Sequence, residues 1–296
     1  MTLSPPLSLL FGFLLVVGGS ALFTRAIEKT AERFFSNRGR GLRILANISL
    51  SLPELILPLI AFLAPGKGPE GDRVAAGTGA LFGPPLFLLL FLLPLAPALG
   101  RPERRSLLKE IPVLLPAVAG TLLLFDHPLF QRFLLALLMA VLYLWGLLGA
   151  TDVEAVSHEE NPEPWGVRDA LFITGGVALM AGGSEIFLSG ITALRDSLGL
   201  SPFLSAIVLA PLATEAPELL TLCHFLRKKR FDSSFSILWG SIHLQITLSL
   251  AAGLIASPWQ GSPRALTAGA VLLVFLAGLL LVVFLREISK RGLPSK

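Results

Sequence analysis

Charge is scarce in this chain: only 15% of its 296 residues are Asp, Glu, Lys or Arg, against about 25% in a soluble globular domain. Cysteine is nearly absent. The single copy, Cys223, has no second cysteine with which to form an intramolecular disulfide or a thiolate metal site. Histidine occurs four times and tyrosine once, and no His/Cys metal spacing, Walker loop or nucleophile elbow is present. These gaps exclude a disulfide-stapled domain, a zinc module, a P-loop enzyme and an elbow-type hydrolase. No Lys or Arg precedes Arg25, so the basic n-region of a secretory signal is missing and the first apolar run is read as structure. The net charge of +4 is confined to short segments between apolar runs, which points away from nucleic acid.

Hydrophobicity fills the sequence instead, at 53% of residues with a mean hydropathy of +0.75. A helix that spans a bilayer needs about 20 mostly apolar residues. Nine such runs are predicted: Leu7 to Phe23, Ile44 to Leu63, Val74 to Leu99, Ile111 to Leu124, Phe130 to Leu148, Ala170 to Leu194, Phe203 to Leu226, Phe235 to Ala256 and Leu266 to Leu285. The fourth is the shortest. Positive loops stay on the cytoplasmic side, and placing the N-terminus outside puts nineteen of the 24 basic residues inside, leaving Lys67, Arg73, Arg132, Arg195 and Arg264 outside. The expected protein is a multi-pass membrane protein in the lipid bilayer, with its C-terminus cytoplasmic. Compact loops fit a prokaryotic plasma membrane.

The chain repeats itself. Gly18-Gly19-Ser20 to Phe23 aligns with Gly182-Gly183-Ser184 to Phe187 at an offset of 164 residues, and the same offset carries Pro53-Glu54 onto Pro217-Glu218. Joint recurrence at one offset indicates duplication. Five helices separate equivalent positions, so the two copies lie upside down relative to each other. Inverted repeats with interrupted helices are the architecture of secondary transporters, which place their site at the repeat interface. The expected fold is therefore all-α, with inverted repeats of about five and four transmembrane helices broken at the midplane. Residues 1–150 form the first repeat and 168–296 the second. The stretch between them, 151–167, is an acidic cytoplasmic linker with Asp152, Glu154, Glu159, Glu160 and Glu163, whose spacing matches no EF-hand loop.

Four glutamates, Glu54, Glu185, Glu215 and Glu218, fall inside predicted spans. A carboxylate at the centre of a bilayer costs about 3 kcal/mol on insertion scales, so each marks a functional position by default. Pro53 and Pro217 lack an N–H, which frees the carbonyl four residues back, on Ser49 and on Ala213. Helical spacing puts Ser51 on the face of Glu54, and Thr214 and Glu215 on the face of Glu218. Glu54 and Glu218 are expected to face each other near the midplane. Only oxygen is on offer, which suits hard cations such as Ca2+. Three carboxylates around one site cannot all stay ionised, so at least one should hold a proton until a cation displaces it. Glu185 has Ala21 as its repeat equivalent and is assigned to a helix surface or interface. His243 and Gln245 on the eighth helix are second-tier candidates.

These elements resemble the cation/calcium exchanger superfamily, whose inverted repeats each carry a Gly-Thr-Ser-x-Pro-Glu motif on the second helix. Here the motif reads Ser49-Leu50-Ser51-Leu52-Pro53-Glu54 and Ala213-Thr214-Glu215-Ala216-Pro217-Glu218. The family's second element, similar to Gly-Asn-x-x-Gly-Ser-Asn, has lost its asparagines. Its first copy is Gly79 to Pro85. Its second, Ser236 to Ile242, keeps Gly240 and Ser241. The resemblance implies a cation antiporter working by alternating access, exchanging Ca2+ or another cation for Na+ or H+, with Ser241 as a further ligand. It implies inorganic cations as substrates, no cofactor and no enzymatic activity. Which ions, what stoichiometry and whether the chain self-associates are left open. The family commonly has ten helices, so the second repeat is one short. The other readings are a drug/metabolite-type carrier, which does not explain paired intramembrane Pro-Glu, and a non-transporting membrane protein or lipid-modifying enzyme.

Overall fold

A computed structural model describes residues 4–34, 52–63, 70–124, 127–149, 166–215, 219, 222–223, 226–227, 231–256 and 263–291. Every regular element among them is helical: α1 (Pro5–Phe34), α2 (Leu52–Leu63), α3 (Glu70–Leu95), a 3-10 turn (Ala96–Ala98), α4 (Arg101–Leu123), α5 (Leu129–Gly149), α6 (Val167–Leu198), α7 (Pro202–Thr214), α8 (Phe231–Leu244), a π-turn (Gln245–Ser249), α9 (Leu250–Ala256) and α10 (Pro263–Arg291). Among the described residues, seven stretches are long and apolar enough to cross a membrane. Large apolar side chains cover the outside, such as Phe130, Phe133, Leu137, Val141 and Trp145 on α5, which is a surface suited to lipid.

The second and seventh predicted helices lie partly outside the described residues, and their described parts are α2 and α7, of 12 and 13 residues. Among the described residues, α2 carries the Pro53-Glu54 step near its start, and α7 stops at Thr214, with Glu215 at its C-cap. The fourth helix differs from expectation. It begins ten residues earlier, at Arg101, with Pro102 in its first turn and no breaker before Ile111, so the basic residues assigned to a loop lie on a helix instead.

The repeat offset maps α1 onto α6, α3 onto α8 through α9, and α4 onto α10, while α5 has no equivalent within the 296 residues. The most extensive interface joins α1 to α6, and glycine makes it close. A β-carbon added at Gly12 would stand 2.8 Å from the carbonyl oxygen of Gly183, and one at Gly19 would stand 2.7 Å from that of Gly176. Gly12 is the equivalent of Gly176 and Gly19 of Gly183. Each glycine thus meets the other's equivalent, which is the contact pattern of a two-fold axis between antiparallel copies. A side chain at Gly19 would collide with backbone, and such overpacking costs about 1–3 kcal/mol or more. Gly18→Ala, with nothing within 4 Å, is expected to be neutral or to gain up to about 1 kcal/mol from helix propensity. Melting of the two purified variants in detergent checks this: Gly19→Val should melt well below the parent and Gly18→Ala at or above it.

Ion pairs group the ends of the helices. Asp72 of α3 binds Arg195 of α6, and buried Arg104 of α4 lies 3.3 Å from Glu287 of α10. Each pair joins residues that the charge pattern assigns to the same side.

Candidate functional site

Three elements converge: α2, the end of α7 and the π-turn. Pro53 and Glu54 are neighbours on α2, with Pro53 buried beside the carboxylate. Glu54 is 2% exposed there. α7 closes on Thr214, and the N–H of Glu215 still reaches the carbonyl of Pro211 at 2.8 Å. Glu215 is 0% exposed, and its carboxyl lies within hydrogen-bonding reach of Glu54 and Thr214. The third element is the π-turn, a geometry that recurs at functional sites. Its first residue, Gln245, donates from Nε2 to Glu215 Oε1 at 2.7 Å and to Ser241 Oγ at 3.2 Å. The Thr247 hydroxyl donates to the carbonyl of His243 at 2.6 Å and to that of Leu244 at 3.3 Å, holding the widened turn.

The arrangement is rich in acceptors and poor in donors. Glu215 Oε2 and Gln245 Oε1 are buried and find no donor among the described residues. Ionised carboxyl oxygens only accept hydrogen bonds, and burying them unmatched is costly. Two carboxyl groups that face each other in such a place are stable with a proton or a metal cation between them. Chemically the arrangement is a buried, oxygen-lined cluster short of positive charge.

Of the residues singled out from sequence, Glu54, Thr214, Glu215 and Ser241 come together, with Ala213 in the last turn of α7 beside them. Glu218, Ser49 and Ser51 lie outside the described residues, as does the acidic linker up to Trp165. No cluster of three or more His, Cys, Asp or Glu forms among the described residues. Glu185 is held elsewhere, by a two-pronged pair with Arg73 of α3 at 2.8 and 2.5 Å, which fits its assignment to a helix interface. Gln245 and His243 part company. Gln245 is at the site, whereas His243 faces α4 and α5. The sequence signal for Gln245 is its place four residues after Ser241; nothing in the sequence marks the π-turn.

Residues 4–151 and 169–293 match the family described as sodium/calcium exchanger protein. A Ca(2+)/H(+) antiporter of Synechocystis sp. is 31% identical over 146 residues, a match spanning 48% of this chain and only 37% of that antiporter. Among solved structures, the H+/Ca2+ exchanger CAX shares the fold with a TM-score of 0.69 at 20% identity, over 99% of this chain and 83% of that one. The sodium-calcium exchanger NCX_Mj aligns over the whole of both chains with a TM-score of 0.52 and 19% identity. Its inverted broken-helix fold, its buried carboxyl pair and a family match over nearly its whole length place this chain in the sodium/calcium exchanger protein family.

Proposed function

We propose that the protein is a secondary-active antiporter that carries Ca2+, or a cation of similar hardness, against H+ or Na+ by alternating access. The observation that carries this reading is the meeting of two buried glutamates, Glu54 on α2 and Glu215 at the end of α7. Two carboxylates neutralise one divalent ion, and Ca2+ takes six to eight oxygens in irregular geometry. Thr214, Ser241, the Gln245 amide oxygen and the carbonyls at the α7 break supply further candidates. Glu218, Ser51 and the carbonyls of Ser49 and Ala213 would complete the set from the rest of the motif.

A proton suits the same seat, because two facing carboxyl groups hold one proton between them when the metal is gone. This favours H+ as the counter-ion. The glycine-lined α1–α6 pair is the element that would move across the site-bearing helices, with residues 1–150 and 168–296 acting as the two inverted repeats in a plasma membrane, N-terminus outside.

The test is 45Ca2+ uptake into proteoliposomes of the purified full chain under an imposed pH gradient and, separately, a Na+ gradient. The expected result is concentrative uptake driven by the pH gradient and abolished by its collapse. Uptake no faster than empty liposomes under both gradients would overturn the antiporter reading for Ca2+.

A further inference from the structure

A second buried polar cluster lies on the other face of the helix that carries Ser241. Glu110 of α4 accepts a hydrogen bond through Oε2 from Trp239 Nε1 at 2.7 Å, and the same oxygen lies 3.2 Å from His243 Nδ1. Its other oxygen accepts from the Ser106 hydroxyl one turn earlier on α4. The opposite nitrogen of His243, Nε2, is 3.4 Å from the carbonyl of Leu142 on α5. Gly146 leaves room for the ring: a β-carbon there would stand 2.5 Å from His243 Cε1. Trp239 and His243 are 5% and 6% exposed. An intramembrane carboxylate held by two donors beside a histidine is a costly feature to keep without a use.

Its place suggests the use. Trp239 and His243 are one turn apart on a single ridge of α8, and Ser241 and Gln245 form a second ridge about 200° around the helix. Glu110 therefore grips the back of the turn whose front presents Gln245 to Glu215. The π-turn opens at Gln245, immediately past the gripped residues. A π-turn inserts a residue and rotates everything beyond it, so the azimuth at which Gln245 leaves α8 depends on how firmly the preceding turn is held. α5 packs against the π-turn and α9 and closes the cluster from the far side.

We infer that Glu110 is a positioning residue of the cation site, acting through Trp239 and His243 to set the orientation of Gln245 toward Glu215. The inference rests on the reading that the Glu54–Glu215 pair binds the transported cation. It assigns work to a carboxylate that touches neither glutamate. The interaction is indirect, and loss of such outer-shell support costs a metal site about 10- to 100-fold in affinity.

The experiment measures the Ca2+ concentration for half-maximal 45Ca2+ uptake, and the maximal rate per folded transporter, in proteoliposomes of the full chain. Glu110→Ala is expected to raise the half-saturating concentration about ten-fold. Combined with Gln245→Ala it should raise it no further than Gln245→Ala alone, because both changes break one chain of contacts. Trp239→Phe removes only the indole donor and is expected to cost about three-fold, while Glu110→Gln, whose amide oxygen still accepts from Trp239, should stay within about three-fold of the parent. These two variants carry the test if Glu110→Ala does not fold. An unchanged half-saturating concentration with a lowered maximal rate, or additive effects in the double variant, would overturn the positioning role while leaving the cation site standing. Absence of saturable uptake in the parent would overturn the site reading itself, and this inference with it.

Discussion

Glu54→Gln is expected to bring 45Ca2+ uptake down to the leak of empty liposomes, about 100-fold or more below the parent, with membrane insertion and melting behaviour preserved. Removing one partner of a buried charge pair costs about 3–5 kcal/mol, and each 1.4 kcal/mol is about a factor of ten. Here the partner is the incoming cation. Glutamine keeps the shape of glutamate but carries no charge to offset the dehydration of a divalent ion. In the cation-free protein the sign reverses, because an amide N–H next to Glu215 supplies a donor where two carboxyl groups now meet. The variant should therefore be at least as stable as the parent without Ca2+, and should lose the stabilisation that added Ca2+ gives the parent. Glu218→Gln, at the equivalent place in the second repeat, is expected to abolish uptake in the same way. Parent-like transport by either purified variant would remove that glutamate from the site.

Glu215→Ser restores the small hydroxyl residue that the family motif carries at this position, and it is expected to uncouple the carrier from protons. In the parent, Ca2+ entering between Glu54 and Glu215 should expel the proton they share. With one carboxyl gone, no proton needs to be held. Proton release on Ca2+ addition, followed with a pH-indicator dye in weakly buffered detergent solution, should be present in the parent and absent in Glu215→Ser. Uptake driven by a pH gradient should fall at least about ten-fold, the worth of one charge-assisted contact. Parent transport that is driven by Na+ alone, with no proton released on binding, would defeat this role for Glu215.

Much of this architecture is legible in the amino-acid sequence. Apolar runs mark the helices because a bilayer forbids unsatisfied backbone, and the 164-residue offset of the glycine and Pro-Glu motifs marks the inverted repeats. The break of the seventh predicted helix is legible too, since proline forces it: α7 stops at Thr214, three residues before Pro217. Other features are hidden for identifiable reasons. Arg101 to Lys109 reads as a loop by charge, yet a helix can run past the hydrocarbon boundary where basic side chains meet headgroups, so by charge pattern Glu110 stands at a boundary rather than inside a helix. The partner of Glu185 is 112 residues away in sequence, a distance at which spacing carries no information. The π-turn has no periodic signature, whereas the two-residue step of about 200° around α8 already sets Gln245 apart from His243.

Whether a divalent cation sits between the two buried carboxyl groups is measured most directly by anomalous diffraction from crystals of the full chain soaked in Ca2+ and recorded at long wavelength. One strong peak is expected, bonded by a carboxyl oxygen of Glu54 and one of Glu215 at about 2.3–2.6 Å from each. No peak between them at saturating Ca2+, or a peak at another place that touches neither glutamate, would contradict the proposed cation seat.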